Sequence, residues 1–157
     1  MEGCTVADKQ NIRKILDIVP QKPPFRFIDD ILEIDENKIT AVYRFREDED
    51  FYKGHFPGQP ITPGVILIET MAQASVVAMG IHLLLCQGLC EDEIRQIVAL
   101  FTCADKVEFN GLVMPGEKVI IRGEKIYFRR GVLKAMASLE RENGELICSG
   151  ILAGARG

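Results

Sequence analysis

Residues 54–87 read GHFPGQPITPGVILIETMAQASVVAMGIHLLLCQ, and this stretch decides the fold. Its opening is a loop, with Gly54, Pro57, Gly58, Pro60, Pro63 and Gly64 inside eleven positions. Proline removes a backbone donor and glycine tolerates positive φ, so such a loop follows a specific, stiff path. From Gly64 to about Gln87 the chain is apolar nearly all round, which predicts one long helix buried at the centre of the molecule. At about 1.5 Å per residue the helix spans more than roughly 30 Å. Ala72, Ala74, Ser75, Ala78 and Gly80 let a sheet or a second helix come close. Glu69, Gln73 and His82 interrupt the run, so it lacks the unbroken stretch of about 18 apolar residues that marks a membrane span.

Upstream, Ile12, Ile15, Leu16 and Val19 sit at helical spacing over residues 8–19, and Pro20 stops that helix. Residues 21–25 are an extended connector. Residues 27–34 and 39–46 form a hairpin; Ile39, Ala41, Tyr43 and Phe45 share one face by strict alternation. The acidic run Glu47-Asp48-Glu49-Asp50 is a solvated loop or the charged first turn of a short helix. Downstream, residues 89–95 are a polar connector. Four strands follow, at about 97–103, 117–128, 131–141 and 145–153. The second and third join tightly at Arg129-Arg130-Gly131, and Asn143-Gly144 signals a type I′ turn. The order is helix, hairpin, long helix, then strands: a single-domain α+β protein with one sheet wrapped round one helix. One sheet cannot cover a helix that is apolar on all sides, so a second protomer is expected over the remainder, giving at least a homodimer.

The chain has 157 residues, 47% of them hydrophobic and 27% charged, with net charge −4. An acidic balance without clustered Lys and Arg argues against nucleic acid. The first twenty residues carry Asp8, Lys9, Arg13, Lys14 and Asp17 and do not read as a secretory signal, so a soluble cytoplasmic protein is expected. Five cysteines without a CxxC pair fit reduced thiols. His82, Cys86 and Cys90 fall at i, i+4 and i+8, but three ligands do not close a structural zinc site and Gly88 is expected to end the helix first. No metal or cofactor is expected.

His55 on the stiff loop and Glu69 within the apolar helix are the residues that call for a chemical explanation. A titratable group in an apolar setting is costly unless it has a partner or a task. Imidazole ordinarily titrates near neutrality, and a buried carboxyl holds its proton, so the two together point to general acid–base chemistry. A loop histidine with a structural role and a paired structural acid are the bland alternatives when each is taken alone.

The motif Gly54-His55-Phe56-Pro57-Gly58, Pro60, Pro63-Gly64-Val65, Ile68-Glu69 and Met71-Ala72-Gln73 resembles the 3-hydroxyacyl-acyl-carrier-protein dehydratases. Pro24-Phe25, Phe27-Ile28-Asp29, Val113-Met114-Pro115-Gly116-Glu117 and Arg129-Arg130-Gly131 extend the likeness over nearly the whole chain. Glu69 puts it with the glutamate branch rather than the bifunctional aspartate branch. The resemblance implies the hot-dog fold and elimination of water from a 3-hydroxyacyl thioester, without a cofactor. In that reaction His55 removes a C2 proton, Glu69 protonates the leaving hydroxyl, and the Gly64 N–H at the helix start supports charge on the thioester oxygen. Phe56, Val65 and Gln73 line the substrate site, and Gln73, one turn beyond Glu69, orients that carboxyl or a water. The resemblance further implies His and Glu from different protomers in each site, a homodimer or a trimer of dimers, and a substrate carried by acyl carrier protein. Arg129 and Arg130 are then docking contacts for an acidic carrier. The chain departs from the family at Phe109-Asn110-Gly111-Leu112, where members commonly have Phe-Lys-Arg-Pro, and at Asp29-Asp30, where Asp-Arg is usual. A hot-dog thioesterase and a non-catalytic acyl-thioester-binding protein are the other readings. Neither gives His55 a special task together with Glu69.

Overall fold

The computed structural model describes residues 6–157. Helix α1 (Lys9–Ile18) starts at Asp8, whose side chain accepts from the Asn11 N–H at 2.8 Å, and buries Ile15 and Ile18. Strands β1 (Asp30–Ile34) and β2 (Lys38–Arg44) form the expected hairpin. The central helix α2 (Gly64–Cys86) follows, then α3 (Glu91–Arg95), β3 (Ala99–Phe109), β4 (Lys118–Arg129), β5 (Val132–Arg141) and β6 (Leu146–Arg156).

The six strands make one antiparallel sheet in the order β1-β2-β4-β5-β6-β3. One row of paired residues shows how the sheet holds the helix. Ile31, Ala41, Ile121, Leu139, Cys148 and Phe109 lie opposite one another in turn across all six strands. The first five are 0–3% exposed, and only Phe109, on the edge strand, is half exposed. Met71, Ala74, Ala78 and Met79 of α2 are fully buried against this face. The approach is closest at two glycines. A Cβ on Gly123 would lie 2.7 Å from Ser75 Oγ, and one on Gly154 would lie 2.6 Å from Val76 Cγ1. This is the sheet wrapped round a helix of the hot-dog fold. By length and composition alone Gly64–Cys86 would pass for a membrane span, but here it is the helix the sheet encloses.

Several elements differ from the sequence expectation. The central helix is α-helical at Gly64–Ala72 and Met79–Cys86 but π-helical at Gln73–Ala78. The polar connector at 89–95 contains a helix, with Glu93 accepting from the Cys90 N–H at 2.8 Å and Arg95 pairing with Asp17 of α1 at 2.6 Å. Strand β3 runs to Phe109, six residues beyond the expected end. At Asn143-Gly144 the turn is not type I′. Only Gly144 has positive φ, at 90°, and its N–H bonds Arg141 O at 3.0 Å, so residues 141–144 form an ordinary turn followed by a glycine bulge. At the other hairpin Arg130 and Gly131 both take positive φ, 52° and 73°. Cys86 is disulfide-bonded, against the expectation of reduced thiols, while Cys90, Cys103 and Cys148 are free. Gly88 ends the helix with φ of 91°, as expected.

Candidate active site

The loop carrying His55 is cinched on itself. A 3-10 turn (Asp50–Lys53) leads into it, and the His55 N–H bonds Phe51 O at 3.0 Å. The Ile61 N–H bonds His55 O at 3.0 Å, and His55 Nδ1 lies 2.9 Å from Ile61 O. A carbonyl only accepts, so Nδ1 carries the proton of the neutral ring and Nε2 is left with a free lone pair. Of the loop glycines only Gly58 uses positive φ, at 77°. The His55–Phe56 peptide is cis, and the Phe56 ring stacks on the imidazole with centroids 4.1 Å apart. Tyr52 and Thr62 close the far side of the loop through their hydroxyls, 2.6 Å apart.

The acidic run in front of this loop is not uniformly solvated. Glu49 is 8% exposed, accepts a short hydrogen bond from the Tyr43 hydroxyl and accepts from the backbone Arg46 N–H at 3.1 Å. Burial, with Glu49 alongside, pushes the Tyr43 hydroxyl far above its ordinary value. The Arg46 guanidinium lies over the Tyr43 ring and pairs with Asp29 at 2.8 Å. No sequence signal separates Glu49 from its neighbours in the run; its partner Tyr43 is brought to it by the hairpin.

Glu69 is half-buried, and burial raises its carboxyl above the ordinary carboxylate range. Among the described residues its side-chain hydrogen-bond partner is Gln73, whose Nε2 donates to Glu69 Oε1 at 3.0 Å and whose bond partly offsets the rise. Gln73 itself is 0% exposed and held at both ends of its amide. The Phe27 N–H donates to Gln73 Oε1 at 2.7 Å, and Gln73 Nε2 donates to Phe25 O at 3.0 Å. These two backbone partners fix the amide orientation, so an N–H must point at Glu69. The connector that sequence reading treated as a spacer is thus the support of the carboxyl.

Gly64 opens α2 behind Pro63, with no side-chain cap. The first N–H groups of a helix have no intrahelical acceptor, so they present donors and the positive end of the dipole. The Phe109 ring lies over Gly64: a Cβ there would meet Phe109 Cε1 and Cζ at 3.0 Å. Sequence reading missed Phe109, because pattern alone does not show that β3 ends beside the start of α2. Val65 and Phe56, apolar and next to these groups, are 72% and 53% exposed.

Glu69 and Gln73 are thus in contact, His55 and Phe56 are in contact, and Gly64 and Val65 lie at the helix start. Among the described residues no hydrogen bond or ion pair joins His55 to Glu69 within the chain. Arg129 and Arg130 stand apart at the β4–β5 turn, exposed, with the Arg129 guanidinium 4.7 Å from the Tyr127 ring centre. The described residues hold no cluster of three or more His, Cys, Asp or Glu side chains suited to a metal.

Comparison with known proteins places the chain in a family. Residues 19–150 match the FabA-like domain family. The chain is 36% identical over 143 residues to the 3-hydroxyacyl-[acyl-carrier-protein] dehydratase FabZ of Caldicellulosiruptor bescii, covering 90% of this chain and 95% of that one. It is 34% identical over 146 residues to the Bacillus velezensis FabZ, covering 92% and 96%. Among solved structures, a chain of the dehydratase heterocomplex from Xenorhabdus doucetiae superposes with a TM-score of 0.71 at 13% identity, over 91% of this chain and 90% of that one. A Haemophilus influenzae thioesterase superposes less closely, with a TM-score of 0.56 at 16% identity over 82% and 77%. At such identities the structural neighbours speak to the fold, whereas the sequence relatives speak to the family. The chain belongs to the FabA-like family and, within it, to the FabZ 3-hydroxyacyl-[acyl-carrier-protein] dehydratases.

Proposed function

We propose that this protein removes water from a 3-hydroxyacyl thioester carried by acyl carrier protein, giving the trans-2-enoyl thioester in fatty acid or related lipid synthesis. The observation that carries this reading is the half-buried Glu69, held by a clamped Gln73 and raised toward its protonated form. His55 Nε2 takes the C2 proton. Electrons move through an enolate-like state, supported by the Gly64 N–H, as the C3–O bond breaks. Glu69 gives its proton to the departing hydroxyl, which leaves as water. The chain's groups end with the imidazole protonated and the carboxylate bare, and proton exchange resets both. Neither step calls for a metal or an organic cofactor. A cytoplasmic location fits this role.

The site is shared between two protomers. His55 and Glu69 find separate partners within one chain, and the apolar edge strand β3 reaches the site where Phe109 lies over Gly64. Strand β3 is a sheet edge on which Leu100, Phe101 and Phe109 are 45–51% exposed. A long apolar edge strand is ordinarily covered. A second copy pairing edge to edge covers β3, Val65 and Phe56 together, which fits two-fold symmetry. Accordingly, Phe101→Asp is expected to shift the protein to monomer by light scattering and to lower kcat/KM at least about a hundredfold, because each site loses a partner group. A fully active monomer would count against sharing. Arg129 and Arg130 offer exposed positive charge for an acidic carrier protein, by electrostatic complementarity.

Gln73 supplies a test of the acid. Its N–H stabilises the carboxylate and so lowers the Glu69 pKa. Gln73→Leu removes that bond and raises the pKa further. The alkaline limb of the pH–rate profile, where Glu69 loses the proton it must donate, therefore moves to higher pH while kcat falls. An unshifted limb would remove Glu69 from the role of acid. Hydration of trans-2-enoyl thioesters, followed by loss of conjugated absorbance, tests the whole reading. Free thiol release without enoyl chemistry would indicate a thioesterase instead.

A further inference from the structure

We propose that the buried pair Tyr43–Glu49 is a positioning device for His55, fastening the turn that carries this imidazole to the sheet. The inference rests on the reading of His55 as the base. Within the acidic run at 47–50 only Glu49 is buried, while Glu47, Asp48 and Asp50 stand in solvent. Burying a carboxylate is costly unless it is paired. An apolar side chain of similar size often fills such a place with equal or better stability, so an acid kept there calls for a cause. Glu49 Oε1 accepts from two donors, the Tyr43 hydroxyl and the backbone N–H of Arg46 at 3.1 Å. The first donor is fixed in aim. The Tyr43 ring packs edge-on to Phe27 and Phe45, with centroids 5.7 and 4.9 Å away, and the Arg46 guanidinium lies 5.2 Å from its centre. Burial, with Glu49 alongside, keeps the hydroxyl protonated, so it donates. The carboxylate therefore ties the chain leaving β2 to one point on the sheet.

From Glu49 the bonds run on to His55. Glu49 immediately precedes the 3-10 turn, six residues before His55. Its carbonyl accepts from the Tyr52 N–H at 3.1 Å, and Phe51 O accepts from the Gly54 and His55 N–H groups at 3.3 and 3.0 Å. The far side of the loop is fastened separately, by the Tyr52–Thr62 hydroxyls at 2.6 Å and by the Thr62 N–H on Val113 O at 3.0 Å. A loop fixed on both sides keeps Nδ1 on Ile61 O and leaves Nε2 free for the substrate proton. A buried, satisfied network of this kind rigidifies what it holds. Releasing the near side lets the turn slide, and a misplacement of about 1 Å can cost as much as about a hundredfold in rate.

The test uses Glu49→Ala, Glu49→Gln and Tyr43→Phe in the full chain, with two readouts. One is kcat and KM for a trans-2-enoyl thioester of acyl carrier protein. The other is nitrogen-15 NMR of protein labelled in its two histidines, at about pH 8.5, where free imidazole is neutral, with His55→Ala to assign the His55 signals. In wild type the Nδ1 and Nε2 signals of His55 lie far apart, because one tautomer is held. In Glu49→Ala kcat is expected to fall at least about tenfold while KM changes less than about twofold. The two ring signals move toward each other as the tautomers exchange. Glu49→Gln keeps an oxygen for both donors, so it restores the signals and returns kcat to within about threefold of wild type. Tyr43→Phe removes one donor and falls between. A Glu49→Ala protein with lowered Tm but wild-type kcat and ring signals overturns the proposal and leaves the dehydratase reading intact. Glu49→Gln as impaired as Glu49→Ala also overturns it, since charge and not the two hydrogen bonds would then matter. If Glu49→Ala does not fold, Tyr43→Phe decides, and wild-type kcat and signals in that variant overturn the proposal. If wild type shows no turnover, the dehydratase reading fails, and the ring signals alone decide whether the pair holds His55.

Discussion

Glu69→Gln and His55→Ala are each expected to lower kcat for hydration or dehydration of a carrier-linked thioester by about 10²–10⁴-fold, the range that a positioned acid or base supplies. The glutamine is close to isosteric with the protonated acid and can accept from Gln73 Nε2 as Glu69 Oε1 does now, at 3.0 Å. What it cannot do is give up a proton at the required rate. The fold should not suffer. Burial raises the Glu69 carboxyl, so folding favours the protonated form. A group raised in the folded state contributes stability below its unfolded pKa and loses that contribution as pH rises through its folded pKa. The Gln variant is free of that alkaline penalty and should melt no lower than wild type above neutral pH. His55→Ala removes Nε2, while the backbone bonds from Phe51 and Ile61 that set the loop remain. Loss of turnover with retained Tm in both variants is the expected result. Retained turnover in either would remove that residue from the chemistry.

The largest effect on stability is expected from Phe27→Ala, at about 3–5 kcal/mol. Phe27 is 0% exposed and sits among Phe25, Tyr43, Phe45 and Phe51, with ring centroids 5.1–6.3 Å away. Truncation leaves a hole that these four rings cannot close together, because β2 holds Tyr43, the Phe45 N–H is bonded to Glu117 O at 2.9 Å and the 3-10 turn holds Phe51. The effect reaches the site. The Phe27 N–H is the donor that fixes Gln73, and a loosened connector lets the amide turn away from Glu69. Chemical denaturation should therefore show the full stability loss, and the surviving folded protein should show reduced kcat as well. A stability loss with unchanged kcat would mean that the clamp does not depend on the ring.

These two cases show what was legible in the chain. The central helix and its start at Gly64 could be read because a run of apolar residues on every side, behind Pro63, has few other solutions. The His55 loop and Glu69 stood out because titratable groups seldom occupy such settings. The π stretch from Gln73 to Ala78 could not be read, since nothing in QASVVA distinguishes it from ordinary helix. It lies where the helix comes closest to Gly123 and Gly154. Helix α3 does carry a sequence signal: three acidic residues in the first turn, Arg95 in the last, and Glu93 placed to cap its own start. The sequence pattern ends β3 early because Ala104–Glu108 are mostly polar, and an edge strand exposed on one protomer need not alternate like an inner one. The clamp on Gln73 joins residues 46 and 48 positions apart in sequence through backbone groups, which carry no side-chain signature.

The sharing of each site between two protomers is the central claim, and complementation tests it most directly. Co-expressing His55→Ala and Glu69→Gln chains gives, by random pairing, half mixed dimers, each with one site that has both an intact His55 and an intact Glu69. Shared sites therefore predict roughly a quarter of wild-type turnover from a mixture of two nearly inactive proteins. Turnover no higher than the variants show separately would contradict the claim and put both residues to work within a single chain.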